Sequence, residues 1–411
     1  MTQSKMPCSI SVSFYFNCKG DCIMNKQTKL TLAILLSNLF IAFLGIGLVI
    51  PVLPTIMNEL NISGQVVGFM VAAFAIVQLI VSPIAGKFVD SIGRKPMIII
   101  GLFIFGVSEF LFGFGKTVEI LFISRMLGGV SAAFIMPAVT AFIADITTLD
   151  TRPKALGYMS AAINTGFIIG PGIGGFLAEF GTRIPFYSAG VLGVIASILS
   201  FLLLKEPARD YEEVKQTSTT QTKGIKRIFH PYYFIAFVVI FVSTFGLAAF
   251  ESLFSLFVDH KFGFTARDIA IVITGGAVVG AIAQILLLDP LVKRLGEIGL
   301  IRLALFVSAI LAFLMTVVSS YFMILLVTFV IFIGFDLIRP AVTSYLSSVA
   351  GNEQGFVGGM NSMFSSLGNI FGPIIGGALF DQNLNYPYYF SVVVLVIGVL
   401  ITLRWKRPDL T

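Results

Sequence analysis

Long apolar stretches recur along almost the whole chain, and they limit its fold more than any other feature. Each has about the length, roughly 20 residues, that an α-helix needs to cross a bilayer. Only 12% of the 411 residues are Asp, Glu, Lys or Arg, about half the share in a soluble domain. We therefore predict an all-α membrane protein. Its twelve transmembrane helices are predicted near residues 30–54, 66–86, 96–115, 119–145, 154–180, 184–204, 231–258, 266–288, 297–318, 321–347, 355–380 and 386–404.

A polar segment at 205–230 divides these stretches into two groups of six. It contains a dense cluster of charges and a Ser/Thr/Gln run, which is typical of a solvated linker. We predict an N-terminal six-helix bundle at 24–204, a cytoplasmic linker at 205–230 and a C-terminal six-helix bundle at 231–411.

Residues 1–23 differ in composition from the rest of the chain. They are polar and contain all three cysteines, Cys8, Cys18 and Cys22. We interpret them as a disordered tail or as an upstream extension before a start at Met24. A metal site at Cys18 and Cys22 would lack further ligands, so we expect neither a metal nor a cofactor.

The distribution of basic residues predicts orientation. From Met24 onward, loops on the side of the termini carry eighteen Lys and Arg residues, and the opposite loops carry four, which are Lys116, Arg183, Lys261 and Arg267. The positive-inside rule therefore places both termini in the cytoplasm. The net charge of +6 reflects this bias, because basic residues spread among apolar runs cannot form a nucleic-acid site. We expect a monomer in the lipid bilayer.

The two halves of the chain contain an internal repeat. Gly157, Gly166, Gly170, Pro171, Gly174 and Gly175 recur with the same spacing 202 positions later. Pro137 to Thr140 recurs at Pro340 to Thr343, and Asp90 has a counterpart in Asp289. Six spans restore the original orientation, so the halves are predicted to be parallel copies related by an axis along the membrane normal.

Several motifs resemble those of one family. Gly86 to Lys95 resembles the signature of the loop between helices two and three in the major facilitator superfamily, and Arg125 before Gly128-Gly129 resembles its fourth-helix motif. The Gly/Pro series at 157–175 is similar to its drug-antiporter motif. The blocks Gly45–Pro54, Phe332–Thr343 and Gly355–Phe380 resemble the NorA/Bmr type of multidrug proton antiporter. The second-half loop, Asp289 to Gly296, lacks the Gly-Arg-Lys ending.

These motifs suggest conformational roles. A loop carboxylate can accept hydrogen bonds from helix N-terminal amides while basic groups bridge helix ends, which predicts a reversible latch; the alternative is that the basic residues only enforce topology. Glycines four residues apart permit close packing, and proline bends a helix, so we expect hinge-like contacts between the halves. The predicted gating residues are Gly86, Asp90, Gly93, Arg94, Lys95, Gly166, Gly170, Pro171, Gly174, Gly175, Gly368, Gly372, Pro373, Gly376 and Gly377.

Ionisable residues inside spans are costly and therefore indicate function. We predict that Glu251 and Asp336 exchange protons while facing a central cavity. Arg339 shares a helix face with Asp336, where a local ion pair is the alternative interpretation. Arg125 either neutralises a local carboxylate or, as the resemblance implies, influences proton movement. For Glu109 we expect a packed structural role.

Aromatic residues beside the acids predict a surface for lipophilic cations, through burial of apolar area and cation–π attraction. The residues beside the acids are Phe250, Phe254, Phe332 and Phe335. The resemblance adds Phe43, Phe74, Gln78, Phe167, Asn361 and Asn369 as substrate-binding candidates.

The resemblance implies a proton-coupled multidrug efflux antiporter of the cell membrane. Its substrates would be lipophilic, often cationic or zwitterionic compounds, such as quinolone-like drugs and dyes. Alternatives are transport of a single physiological solute and, less favoured, a non-transporting membrane receptor. The sequence has no catalytic Ser/His/Asp grouping and no phosphate-binding loop, so we do not expect an enzyme.

Overall fold

The computed structural model is helical almost throughout the residues that it describes, which are 26–148, 151–206, 231–350 and 354–405. A 3₁₀ turn at Ile50–Val52 joins the first two helices into one apolar unit. The predicted N-terminal extension and nearly all of the predicted linker lie outside the described residues. The helices are α1 (Lys26–Val49), α2 (Leu53–Glu59), α3 (Gly64–Ser91), α4 (Arg94–Phe114), α5 (Val118–Ile146), α6 (Arg152–Ala178), α7 (Ile184–Leu203), α8 (Pro231–Phe262), α9 (Ala266–Val317), α10 (Tyr321–Ala350), α11 (Gln354–Phe380) and α12 (Tyr386–Leu403).

Within the described residues, eleven helical units are long and apolar enough to cross a bilayer, whereas the sequence predicts twelve. The difference lies in α9, which has 52 residues. A straight helix of this length would extend about 78 Å, more than twice the hydrocarbon thickness of about 30 Å. Gly296 interrupts α9 with φ 69° and ψ 167°, a conformation that only glycine adopts easily. The predicted eighth and ninth spans therefore meet at a backbone kink with no intervening loop.

Local sequence explains where several helices begin. Pro185 and Pro387 lie in the first turns of α7 and α12, where a fixed φ and a missing N–H cost nothing. At the start of α9, Thr265 and Asp268 form a reciprocal capping box. At the start of α3, Ser63 accepts a hydrogen bond from the Val66 amide at 3.4 Å.

The helices pack into two groups that follow chain order. In the first, α1 packs on α6 and α7, α4 packs on α5 and α7, and α3 packs on α5. In the second, α9 packs on α10 and α12, and α8 packs on α11 and α12. The most extensive contacts between the groups join α3 to α11 and α6 to α9. These two helix pairs bring the N-terminal and C-terminal halves together.

The two ends of the bundle differ. The connections 59–64, 178–184, 262–266 and 380–386 form what we call the distal end, where polar side chains join the two halves. The proximal end contains the connections 91–94 and 147–152. Helices near it border open space, because a Cβ added at Gly86, Gly157, Gly358 or Gly359 would meet no heavy atom of the described chain within 4 Å.

Apolar side chains cover the outside of the bundle. Ile285 is 81% exposed, Phe322 71% and Phe180 68%. Exposed apolar surface on this scale is unfavourable in water and favourable in lipid. The exterior therefore fits a multi-pass membrane protein.

Candidate functional site

Three helices of the C-terminal half bring the predicted coupling acids together. Glu251 on α8 is exposed and lies within electrostatic range of Asp336 and Arg339 on α10. Asp336 is half-buried and packs against Gly280 of α9, where an added Cβ would overlap its Oδ2 atom. The absence of a side chain at Gly280 therefore creates the space that the carboxylate occupies.

Helix geometry separates the acids from their aromatic neighbours. Successive residues on a helix point about 100° apart, so Phe250 and Phe254 face the core while Glu251 is exposed. Phe250 is 1% exposed, Phe254 2% and Phe335 5%. Phe250 lies 5.7 Å from Phe335 and 5.4 Å from Tyr388 between ring centroids. In this conformation Phe250, Phe254 and Phe335, all predicted to bind substrate, are therefore buried against other residues of the protein.

The remaining aromatic and amide candidates are more accessible. Phe43 and Phe167 form an edge-on pair with ring centroids 4.9 Å apart, and Phe167 is 39% exposed. Half-buried Phe74 and Gln78 lie on α3 beside Gly128 and Gly129 of α5. In the C-terminal half, Phe332 packs on Gly276 and is half-buried, as is Asn361, whereas Asn369 is exposed.

Arg125 forms an ion pair inside the N-terminal half. Its Nη2 lies 3.3 Å from Oε1 of Glu109, and its guanidinium carbon lies 4.4 Å from the centre of the Phe112 ring. The Glu109 residue is 3% exposed. Glu109 Oε2 and Arg125 Nε are buried without a hydrogen-bond partner among the described residues. This contact is the arrangement that the first predicted role, neutralisation of a local carboxylate, requires.

The Gly/Pro helices make fewer contacts between the halves than predicted. On α6, Gly166, Gly170 and Gly174 pack against carbonyls of α1, within the same half. On α11, the equivalent glycines pack against α8, again within one half. These helices pack side by side inside each half, so the prediction of contacts between halves was wrong for the glycines spaced four apart, which are Gly166, Gly170, Gly174, Gly368, Gly372 and Gly376.

The next glycine in each series does reach the other half. A Cβ at Gly175 would meet Ala270 of α9, and a Cβ at Gly377 would meet the Gly64 carbonyl of α3. The two prolines, Pro171 and Pro373, are buried within their helices. Pro171 lies beside Gly47 of α1, in the same half, while the Pro373 carbonyl lies beside Gly68 of α3.

The loop between α3 and α4 is joined to two neighbouring helices. Gly93 has φ 132°, which allows the sharp turn before Arg94. Arg94 Nε donates to Asp145 of α5 at 2.8 Å, and Arg94 Nη1 lies 3.5 Å from Asp90 Oδ1. Lys95 lies 5.4 Å from the centre of the Phe201 ring.

A carboxylate that was not predicted caps α4. The backbone amides of Arg94 and Lys95 donate to the two carboxylate oxygens of Glu206 at 2.7 and 2.8 Å. The N-terminal amides of α4 thus bond to Glu206 beyond the end of α7, whereas the motif predicted such an acceptor in the loop that contains Asp90. The signal for Glu206 was weak, because it is one acid at the edge of a charged segment.

The described residues contain no group of three His, Cys, Asp or Glu side chains that could hold a metal ion. Cys18 and Cys22 lie outside that part of the chain.

The chain is similar to known transport and resistance proteins over nearly its full length. It is 68% identical over 383 residues to multidrug resistance protein 1 of Bacillus subtilis (strain 168), covering 93% of this chain and 98% of that protein. It is 45% identical to the quinolone resistance protein NorA of Staphylococcus aureus, covering 93% and 97%. A bacterial homologue of the human lysosomal transporter Spinster has the same fold, with a TM-score of 0.77 at 15% identity over 93% of this chain and all of that one.

The family profile agrees with these relatives. The description Major Facilitator Superfamily matches residues 35–357 and 236–411, which together cover most of the chain. The similar proteins are transporters and resistance proteins, and none of these matches is an enzyme. The chain therefore belongs to the Major Facilitator Superfamily.

Proposed function

We propose that this protein is a proton-coupled multidrug efflux antiporter that works by alternating access. Support comes first from its relatives, which are called multidrug and quinolone resistance proteins and match over more than nine-tenths of the chain. The substrates would be lipophilic, often cationic or zwitterionic compounds, including quinolone-like drugs and dyes.

The proposed topology has twelve spans in two parallel six-helix repeats. The kink at Gly296 divides α9 into two segments, each long enough to cross a bilayer at about 1.5 Å per residue. The 202-residue offset between the Gly/Pro series supports the repeat. The bias of eighteen to four basic residues supports cytoplasmic termini in the cell membrane. We propose that the protein functions as a monomer.

One observation carries the coupling proposal: Glu251 of α8 lies within electrostatic range of Asp336 and Arg339 of α10. A cationic substrate is attracted to an ionised carboxylate, whereas a bound proton removes that charge. Proton and substrate would therefore compete for the same acids, which couples their movements. Each elementary charge moved through the membrane potential supplies about 2.3 kcal/mol per 100 mV.

The substrate surface in this proposal uses the accessible candidates. Cation–π and stacking contacts to lipophilic rings would come from aromatic side chains, and orienting hydrogen bonds from the amides. Phe250, Phe254 and Phe335 would pack behind the acids in this conformation and support them. The proposed lining residues are Phe43, Phe74, Gln78, Phe167, Phe332, Asn361 and Asn369.

The test uses everted membrane vesicles that respiration acidifies inside. We expect them to accumulate ethidium when they contain the protein, and to lose the accumulation in Glu251→Gln and Asp336→Asn variants. Glu119→Gln is the matched control, because Glu119 is an exposed acid at the start of α5, away from the cluster.

Two results would contradict the proposal. Undiminished accumulation in both acid variants would remove the coupling assignment. Accumulation that persists on ATP after the proton gradient is collapsed would remove the antiporter mechanism.

A further inference from the structure

A carboxylate from one half caps a helix of the other half at the distal end. Asp381 directly follows α11, and its Oδ1 and Oδ2 accept hydrogen bonds from the backbone amides of Gly64 and Gln65 at 2.6 and 2.9 Å. Both amides belong to the first turn of α3, where they have no partner within the helix. The contact combines two charge-assisted hydrogen bonds with the favourable end of a helix dipole.

The surrounding backbone brings Asp381 close enough for this contact. A Cβ at Gly64 would meet the Phe380 ring at 2.7 Å, and one at Gly68 would overlap the Pro373 carbonyl. A Cβ at Gly377 would overlap the Gly64 carbonyl. Because these glycines have no side chains, the backbones of α3 and α11 lie close together beside the position where Asp381 binds.

Two further contacts between the halves lie at the same end, and their residue numbers follow the internal repeat. Glu179 is 202 positions before Asp381 and lies 3.3 Å from Arg267, which is 202 positions after Gln65. Asn58 donates to Asp259, its counterpart 201 positions later, at 3.0 Å. The three contacts therefore relate the two halves as a two-fold axis would.

The repeat-related contacts differ in strength for a clear reason. The first turn of α9 has its own acid, since Asp268 and Thr265 cap each other. The equivalent position in α3 is Val66, so α3 has no internal acid and accepts Asp381 from the other half. The Glu179–Arg267 pair is 45% and 71% exposed, and exposed ion pairs contribute little to stability.

We infer that Asp381 is a positioning residue for transport, which holds the distal end of the two halves closed by capping α3 and releases it when this end opens. The inference rests on the proposed function, in which the distal end faces the exterior and must open to release substrate. Asp381 makes two hydrogen bonds across this end, and the Asn58–Asp259 and Glu179–Arg267 contacts add to it.

The test measures the separation of the halves directly, with two spin labels and pulsed electron resonance on the full-length protein in lipid nanodiscs. The labels replace Thr55 on α2 and Tyr386 on α12, two exposed positions at the distal end, in a background without the three native cysteines. We expect Asp381→Asn to raise the ratio of long to short distances between the two labels about fivefold to thirtyfold. This change corresponds to about 1–2 kcal/mol in the free-energy difference between the closed and open distal end.

Asp268→Asn is the matched control, because it removes a helix-capping carboxylate that contacts only its own half. We expect it to leave the distance distribution unchanged. Gly377→Ala tests the same closure independently by pushing α3 from α11, and should also favour long distances. Gly359→Ala adds a methyl group to the same helix in open space and should have no effect.

A transport measurement gives a second readout. An open distal end leaves fewer molecules able to bind substrate from the cytoplasm, so the half-saturating ethidium concentration in everted vesicles should rise several-fold in Asp381→Asn and stay unchanged in Asp268→Asn.

Identical distance distributions in the parent, Asp381→Asn and Gly377→Ala proteins would overturn the inference. Equal shifts in Asp381→Asn and Asp268→Asn would also overturn it. A parent protein that fails to move ethidium would contradict the proposed function instead, because the distances need no substrate.

Discussion

Substitution of Gly280 by alanine is expected to disable coupling although neither Glu251 nor Asp336 is replaced. Gly280 lies on α9 against Asp336 of α10, and an added Cβ would overlap the carboxylate oxygen Oδ2. The nearest backbone atom, the Phe332 carbonyl carbon, is 3.6 Å from the added Cβ, so the Asp336 carboxylate is the group that has to move. We expect Gly280→Ala to move Asp336 away from Glu251 while both acids remain in the chain.

The magnitude follows from the cost of overpacking, which is about 1–3 kcal/mol for an added methyl group in a packed interior. If half of the upper value of this cost acts against the position of Asp336 that coupling requires, the fraction of molecules with Asp336 in that position falls about tenfold. The reason is that about 1.4 kcal/mol corresponds to a factor of ten. The initial rate of proton-driven ethidium accumulation in everted vesicles should fall by the same factor. Rates must be divided by the amount of protein in the membrane.

Gly275→Ala distinguishes this effect from general damage to the interface. Its added Cβ would meet the Phe329 ring at 2.6 Å, so it overpacks the same pair of helices without reaching an acid. We expect both variants to melt at similar, lowered temperatures and only Gly280→Ala to lose transport. Transport by Gly280→Ala at more than half the parent rate, or equal losses in the two variants, would refute the reasoning.

Three further predictions concern charged groups that hold helices. Glu109→Gln should lower stability by about 3 kcal/mol because it leaves the Arg125 charge unpaired in the interior, and Arg125→Met added to it should recover part of the loss; thermal unfolding in detergent measures both. Glu206→Gln should cost about 1 kcal/mol by weakening the cap of α4, seen as a lower melting temperature. Lys261→Met should cost about 1 kcal/mol by freeing the Met315 and Thr316 carbonyls at the end of α9, whereas Lys116→Met, at an exposed position between α4 and α5, should not change melting. Unchanged melting temperatures in the Glu109, Glu206 and Lys261 variants would show that these contacts contribute nothing to stability.

The fold was largely predictable because membrane spans leave strong signals in a sequence. Each span needs about 20 apolar residues and satisfies its own backbone hydrogen bonds, so composition alone locates it. The exception was the boundary near Gly296, where the predicted loop is a kink in α9. A single glycine in a polar stretch of sequence does not reveal whether the backbone turns sharply or forms a loop.

The candidate residues of the site could be selected from the sequence, but most of the contacts that they make could not. Glu251 and Asp336 could be selected because a charged group within a membrane span is costly, whatever the packing. The burial of Phe250 could not be inferred from its position beside Glu251, since adjacent side chains point about 100° apart. The pairing of Arg125 with Glu109 depends on how α4 packs on α5, and the sequence contains no direct signal of that contact.

Two basic residues at the distal end of the bundle also bind the C-terminal ends of helices. Arg183 donates to the Gly113 carbonyl at 3.1 Å, and Lys261 donates to the Thr316 carbonyl at 2.6 Å, so each caps the C-terminus of a helix. A cation at this end of a helix is favourable. Two of the four basic residues that the sequence assigns to this side are therefore held by carbonyl groups at helix ends.

The internal repeat predicts two equivalent halves, yet the distal contacts show where equivalence stops. Both repeats place an acid after their Gly/Pro helix, Glu179 and Asp381, and both acids reach the helix that begins in the opposite half. Only α9 has its own capping acid, Asp268, so Glu179 is left with a solvent-exposed arginine while Asp381 binds backbone amides. A difference of one residue in the first turn thus decides which half contributes the stronger contact.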